Sequence, residues 1–163
     1  MLRLSWLSLF CCILLISCAP SDPSVAESET TLTESLGQEL PITAIAQMGG
    51  KTIKLEVAKT PEQQAIGLMY REELPADQGM LFPMNPPREP RFWMKNVEIP
   101  LDMIFVREGK IRAIAHDVPP CEEDPCLTYS PEVIIDQVIE LRGGQAKALG
   151  LEIGDSIEIK SVQ

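Results

Sequence analysis

Short runs in which apolar and polar residues alternate at every second position fill this chain from residue 42 onward. Side chains of a β-strand point alternately to its two faces, so this period is typical of strands with one face in a core. Proline and glycine separate the runs, which read ITAIAQM, KTIKLEVA, GMLFPM, RFWMKN, LDMIFV, KIRAIAHDV, EVIIDQVIEL and DSIEIKSV. The pattern predicts a mainly β fold, a compact single-domain β-sandwich or barrel-like structure without a βαβ repeat.

Local signals place turns and one or two short accessory helices between these strands. Gly49 and Gly50 separate the first two runs and predict a hairpin. Thr60 is followed by Pro61 and Gln63, and this pattern predicts a capped helix of about two turns that continues to Met69. Two further signals are a turn in REGK, residues 107–110, and a second short helix in GQAKALG, residues 144–150.

The first 17 residues have the features of a signal peptide. A lone Arg3 precedes an apolar run from Trp6 to Ile16, which is shorter than the roughly 20 residues of a membrane span. The sequence LISC, which ends at Cys18, resembles the lipobox of bacterial lipoproteins, in which cleavage leaves the cysteine to carry a diacylglycerol. Acyl chains contribute about 0.8 kcal/mol per buried methylene. We therefore expect a lipoprotein anchored to a membrane through Cys18, on the periplasmic face or the cell surface. Ordinary cleavage of the leader and an uncleaved leader that acts as the anchor are the alternatives.

Residues 18–40 are predicted to be a flexible acidic linker, and residues 41–163 the folded domain. Positions 19–40 hold five acidic and no basic residues together with many serines and threonines, a composition that buries little apolar surface. From 41 to 163 there are 19 acidic and 13 basic residues, a net charge of −6. This balance argues against a nucleic-acid partner, which requires a basic face.

Two of the five cysteines remain in the domain once the leader and Cys18 are set aside. Cys121 and Cys126 occur in PPCEEDPC, and outside the cytoplasm such a pair predicts a disulfide that closes a small loop. A redox-active dithiol and a metal site are the alternatives. The metal alternative is the weaker one because a closed zinc site needs four ligands and the chain has a single histidine, His116.

Several motifs together resemble one protein family. These are GLMYREEL, GMLF, FWMKNVEIPLD, VIEL and LGLEIGDSIEI, in this order over most of residues 50–160. They are similar to the signature of the domain-of-unknown-function 192 family, also called uncharacterised protein family 0127. The resemblance implies a small, mostly β domain, often exported or lipidated, and implies no activity. Val97 departs from the pattern, since members commonly have threonine after the asparagine.

The segment RFWMKN contains the residues with the most distinctive chemistry. In a strand, Phe92, Met94 and Asn96 would share one face, while Arg91, Trp93 and Lys95 would share the other. A tryptophan between two cations favours either packing under their aliphatic stems or a ligand site with stacking and an anion contact. The predicted ligand-binding residues are Arg71, Arg91, Trp93, Lys95, Asn96 and Asp102. For Asp102 we also predict a salt bridge with Lys95 or Arg71.

Two alternative functions rest on other combinations of residues. An enzyme would use Lys95, Asp102 and Glu140 for acid–base chemistry, although no known hydrolase motif accompanies the lone His116. A Cu(I)-binding protein would bring methionine sulfurs together near His116 or Trp93. The methionines concerned are Met69, Met80, Met84, Met94 and Met103, which a strand core would also use as filler.

The sequence as a whole favours a membrane-tethered extracytoplasmic binding or accessory domain. We expect a small polar ligand or an envelope protein as its partner, and no cofactor. The enzyme and the Cu(I)-binding protein remain the alternatives.

Overall fold

The computed structural model of the protein describes residues 37–162. The predicted signal peptide, Cys18 and residues 18–36 of the predicted linker lie outside the described residues. Described residues fall within one unit, Glu34–Gln163. No helix between residues 37 and 162 is long and apolar enough to cross a membrane.

The described part of the chain is built mainly from β-strands, as predicted, with two short helices. In chain order the elements are β1 (Ile42–Met48), β2 (Lys51–Val57), α1 (Pro61–Ile66), β3 (Gln78–Arg88), β4 (Phe92–Trp93), β5 (Leu101–Arg107), β6 (Lys110–Val118), β7 (Thr128–Tyr129), β8 (Ile135–Arg142), α2 (Gln145–Ala148) and β9 (Glu158–Ser161).

Seven of the strands form one curled sheet in the order β6-β5-β8-β3-β2-β1-β9, and β4 pairs with β7 in a separate ribbon. The predicted hairpin at Gly49 and Gly50 joins β1 to β2, and the predicted turn at residues 107–110 joins β5 to β6. Both glycines have positive φ angles, which glycine adopts at little steric cost. These two turns are confirmed because their geometry depends only on neighbouring residues.

Three local predictions are corrected by the structure. β2 and β3 are parallel and connected through α1, so the sheet contains one βαβ unit. The capping box at Thr60 is present, but the helix ends at Ile66 instead of continuing to Met69. RFWMKN forms a strand of only two residues, which pair with the two residues of β7, and Asn96 farther along takes a left-handed conformation, φ +57°. The βαβ unit was not visible in the sequence because α1 buries no residue and therefore has no apolar period.

The sheet has a separate apolar core on each face. One face packs against α2 and the segment after it; we name this cluster the α2 core, and it includes Leu55, Leu81, Ile104, Ile139, Leu141, Ala146, Leu149 and Leu151. The other face packs against residues 68–74 and 92–99; we name it the methionine core, and it includes Leu68, Met80, Phe82, Met84, Met94, Leu101, Met103, Phe105 and Val138. Alternate residues of β5 and β8 enter the two cores in turn, as the strand period predicts.

Cys121 and Cys126 form the predicted disulfide in the loop between β6 and β7, with Cα atoms 5.7 Å apart. The amide of Cys121 donates a hydrogen bond to the Met94 carbonyl at 3.3 Å. The closed loop is therefore attached to the segment that follows β4.

Candidate functional site

β4 is held in place by the ring of Phe92, which packs edge-on between two core phenylalanines. Its centroid lies 5.3 Å from that of Phe82 and 6.2 Å from that of Phe105. Because side chains alternate along a strand, the next residue, Trp93, points away from this core and is 48% exposed. The backbone of Trp93 pairs with Thr128 of β7, which fixes the position of the indole at the surface.

Trp93 forms one wall of a cleft between α1, the second half of β3 and residues 89–93, with a volume of about 610 Å³. We name it the Trp93 cleft. Phe82 and Met84 supply apolar lining, and Arg88 and Arg91 supply two guanidinium groups. Arg88 lies 3.5 Å from the Gln64 amide oxygen, and Arg91 has no ion pair or hydrogen bond among residues 37–162. The cleft therefore combines an exposed aromatic face with two guanidinium groups that form no ion pair among residues 37–162.

Lys95 adds a third cation beside the cleft. Its Nζ lies 5.6 Å from the centroid of the Trp93 ring, within the range of a cation–π contact. The predicted packing of Trp93 against a cation is therefore found, and the indole still exposes about half of its surface; the ligand site at Trp93 stays a prediction. Glu89 is the one carboxylate at this cleft, and it accepts a hydrogen bond from Ser130 Oγ at 2.9 Å. The local charge is positive in a chain whose net charge is −10.

Arg71 lies in a different place and is already paired. Its guanidinium contacts Glu56 Oε2 at 2.7 Å and donates two hydrogen bonds to the Gln38 carbonyl, at 2.6 and 3.0 Å. Glu56 is buried and also accepts from the amide of Leu40. The pair borders a cleft of about 480 Å³ in which acidic side chains outnumber Arg71. Arg71 thus attaches residues 38–40 to the sheet rather than joining Trp93.

Asn96 sits where two turns meet. Its carbonyl accepts a 2.7 Å hydrogen bond from the amide of Tyr70, and its Nδ2 lies 3.9 Å from the sulfur of Met69. Both Asn96 and Tyr70 have positive φ angles, +57° and +62°. A left-handed conformation is rare for a bulky residue such as tyrosine, so tertiary contacts must hold this junction.

Asp102 is fully buried and bonds to backbone amides, so its predicted salt bridge with Lys95 or Arg71 is wrong. One carboxylate oxygen accepts from the amides of Asp117 at 2.7 Å and Gly144 at 3.2 Å, and the other from Ala146 at 2.6 Å. These bonds join β5 to a bulge in β6 and to the first turn of α2. Backbone amides satisfy a buried carboxylate as well as an ion pair does, and sequence spacing does not distinguish the two.

Glu140 is 5% exposed, and its carboxyl has no hydrogen-bond or ion-pair partner among residues 37–162. Burial raises its pKa to about 8, because the charged form loses its hydration without gaining a compensating contact. The register pairs Met103 with Glu140 and Asp102 with Leu141, which places Asp102 and Glu140 on opposite faces of the sheet. The structure therefore separates the carboxylates of the predicted enzyme site, and Lys95 lies at the surface.

The methionines and His116 also lie apart. Met80, Met84, Met94 and Met103 are all buried in the methionine core, with Met69 packed against it. His116 lines a cleft of about 640 Å³ with Gly144 and Lys147, and no methionine borders that cleft. Within residues 37–162, no three His, Cys, Asp or Glu side chains are grouped so that they could hold a metal ion. No methionine therefore lies beside His116, and a single methionine, Met84, borders the Trp93 cleft, so the predicted convergence of two sulfurs is found at neither cleft.

The sequence did not identify three residues that matter to these sites. Arg88 and Phe82 line the Trp93 cleft, yet neither was singled out. Arg88 lies three positions before Arg91, and this spacing was the only signal in the sequence. Glu56 was treated as an ordinary strand residue, because its burial and its pairing with Arg71 depend on long-range contacts.

Comparison with known proteins identifies similar chains of similar size. The profile of the DUF192 family, described as "Uncharacterized ACR", matches residues 44–159. A protein of unknown function from Novosphingobium aromaticivorans DSM 12444 is 36% identical, with a TM-score of 0.62, over 71% of this chain and 83% of that one. A protein from Sinorhizobium meliloti 1021, described as a "putative transcription regulator", is 33% identical, with a TM-score of 0.63, over 74% of this chain and 97% of that one. No curated protein matches the chain.

Proposed function

This chain belongs to the DUF192 family, as its motifs predicted, and we propose that it is a membrane-tethered extracytoplasmic binding domain whose ligand occupies the Trp93 cleft. The ligand is a small molecule that combines an anionic group with a planar or apolar part. The observation that carries this proposal is the grouping of Arg88, Arg91 and Lys95 around a half-exposed indole.

The chemistry of the cleft accounts for both parts of the ligand. Guanidinium groups bind carboxylates and phosphates through two parallel hydrogen bonds, and Arg91 has no competing partner within the described residues. The indole of Trp93 and the side chains of Phe82 and Met84 offer apolar surface for the remainder of the molecule. A cationic cleft on an acidic protein also concentrates anions locally while the rest of the surface repels them.

A DNA-binding role, which the description of the Sinorhizobium protein suggests, fits this chain poorly. The folded domain has a net charge of −6, and nucleic-acid affinity depends on many cations along one face. The three cations at the Trp93 cleft suit a small anion rather than an extended phosphate backbone.

Tethering outside the cytoplasm is supported by the leader sequence, the lipobox-like LISC and the disulfide between Cys121 and Cys126. Cells grown with a labelled fatty acid should incorporate the label into the chain, which should fractionate with membranes. Cys18→Ser should remove the label and release the protein from the membrane fraction. A Cys18→Ser protein that remains labelled would refute the anchor.

Binding is tested by fluorescence, because the chain has only two tryptophans, Trp6 and Trp93. In the Trp6→Phe protein, Trp93 is the sole indole and its emission reports on the cleft. We expect at least one member of a panel of aromatic acids, nucleotides and sugar phosphates to change this emission saturably. Binding should weaken as salt rises, since exposed charges are screened.

Arg91→Ala should raise the dissociation constant at least tenfold, the loss of about 1.4 kcal/mol of binding free energy. Arg112→Ala is the matched control, because it removes an exposed arginine from β6, away from the cleft. Equal affinities of the two variants would refute the Trp93 cleft as the binding site. No response to any member of the panel would turn attention to an envelope protein as the partner.

A further inference from the structure

The carboxyl of Glu140 is the buried group that the proposed binding function leaves unexplained. Buried polar side chains almost always have a hydrogen-bond partner, and a buried charge requires a counter-charge. Glu140 has neither within residues 37–162, although Glu56, on the same face of the sheet, is paired with Arg71. The fully enclosed side-chain atoms without a partner among residues 37–162 are Arg107 Nη1 and Asp136 Oδ1, so the Glu140 oxygens keep a small accessible area through which a ligand can reach them.

Two methionines stand directly beside Glu140, one on each neighbouring strand. The register pairs Met80 of β3 with Glu140, and Met103 of β5 with Glu140 from the other side. Directly opposed residues have Cβ atoms about 4.5–5.5 Å apart and point to the same face. Both methionines are completely buried in the methionine core. The register therefore places Glu140 between two methionines on three adjacent strands, with the three side chains on the same face.

This donor set matches the ligand preference of one class of cation. Thioether sulfur is a soft ligand that selects Cu(I) rather than Zn²⁺, Mg²⁺ or Ca²⁺. Thioethers are neutral, so a monovalent cation with one carboxylate gives a site without net charge, which is the arrangement that a largely buried position tolerates best. A divalent cation would leave one positive charge uncompensated.

We propose that Met80, Glu140 and Met103 form a binding site for a soft monovalent cation, Cu(I) being the member of this class in biology. Binding exchanges the carboxyl proton for the cation, so one proton leaves for each cation bound and no electron is transferred. The site differs from the one expected from the sequence, which placed sulfurs near His116 or Trp93. It shares no residue with the Trp93 cleft, so either proposal can fail without the other.

A further thioether lies closer to solvent. Met69 packs against the same core but is only partly buried, and its sulfur already receives the weak contact from Asn96. Met84 is buried in the same core, farther along β3, and does not pair with Glu140.

The test uses Ag⁺, a soft monovalent cation that needs no reductant and so leaves the disulfide intact. The full chain carries Cys11→Ser, Cys12→Ser and Cys18→Ser, because free thiols bind the same cations. Calorimetry should give one Ag⁺ per chain, and Zn²⁺ should not bind. In a sample with ¹³C-labelled methionine methyl groups, the resonances of Met80 and Met103 should shift and saturate at one equivalent.

Met80→Leu, Met103→Leu and Glu140→Gln should each weaken Ag⁺ binding at least tenfold. Met84→Leu is the matched control: it removes a buried sulfur from the same core with the same small change in volume, and should leave the affinity unchanged. Circular dichroism verifies that each variant is folded. The proposal is overturned if the folded wild-type chain binds no Ag⁺, or if Met80→Leu and Met84→Leu bind it equally well.

Discussion

Replacing Glu140 with glutamine should change how the stability of this domain depends on pH. Glutamine has nearly the same shape as glutamic acid but remains neutral at every pH. Glu140 is buried without a polar partner among residues 37–162, with Met80 and Met103 directly opposite it, so the substitution removes the ionisation and little else. Glu56, on the same face two strands away, is neutralised by Arg71.

The magnitude follows from the pKa of Glu140 in the metal-free protein. Burial raises this pKa from 4.5 to about 8, a difference of about 3.5 pH units. Each pH unit corresponds to about 1.4 kcal/mol, so the ionisation of Glu140 should change the free energy of unfolding by an amount on the order of 5 kcal/mol. Between pH 4.5 and 8 the folded state keeps a proton that the unfolded state releases. The stability that the protonated Glu140 carboxyl contributes is therefore fully present below pH 4.5 and is lost as the pH rises through 8.

The measurement is urea unfolding of the metal-free, oxidised protein at several pH values between 4.5 and 9. Near pH 5 the wild type and Glu140→Gln should have similar free energies of unfolding. As the pH rises, the wild type should lose stability relative to the variant, until the variant is several kcal/mol more stable above pH 8. Glu98→Gln removes a carboxylate from an exposed position and should retain the pH dependence of the wild type.

A constant difference between wild type and Glu140→Gln across this range would refute the reasoning. It would mean that the Glu140 carboxyl has the same pKa in the folded and unfolded states. Water that reaches the carboxyl through its remaining 5% exposure would then hydrate the charged form as well in the folded state as in the unfolded state.

Three further predictions concern the packing of the domain, and urea unfolding checks each of them. Gly49→Ala should destabilise the domain by more than about 2 kcal/mol, because a Cβ there would overlap the Leu149 carbonyl oxygen. Gly50→Ala is the control: it also has a positive φ but faces open space, so it should cost only about 1 kcal/mol. Arg71→Met should cost about 3–5 kcal/mol by leaving the Glu56 carboxylate buried without a cation, and equal stability at neutral pH would contradict this. Replacing both Cys121 and Cys126 with serine should cost about 2 kcal/mol for so short a loop, and a loss above 5 kcal/mol would show that the disulfide also organises the core.

The segment RFWMKN by itself predicts part of the candidate site. The alternation of buried and exposed side chains from Arg91 to Lys95 is correct, and so is the exposure of a tryptophan between two cations. The structure does not place Arg71 and Asp102 on the surface that carries Trp93. Both residues are attached to other elements, Arg71 to Glu56 and Asp102 to the first turn of α2.

The sequence alone determined the mainly β fold, the hairpin at Gly49 and Gly50, the capping box at Thr60 and the disulfide. Each depends on residues within a few positions of one another, or on a period that one strand carries by itself. Tertiary structure decided the parallel pairing of β2 with β3, the lining of the Trp93 cleft and the surroundings of Glu140. These depend on which distant strands become neighbours and in which register. A shift of one residue in the register of a strand moves every side chain to the opposite face. The glutamate of VIEL, Glu140, would therefore be an ordinary surface residue in one register, and in the observed register it is buried between two methionines.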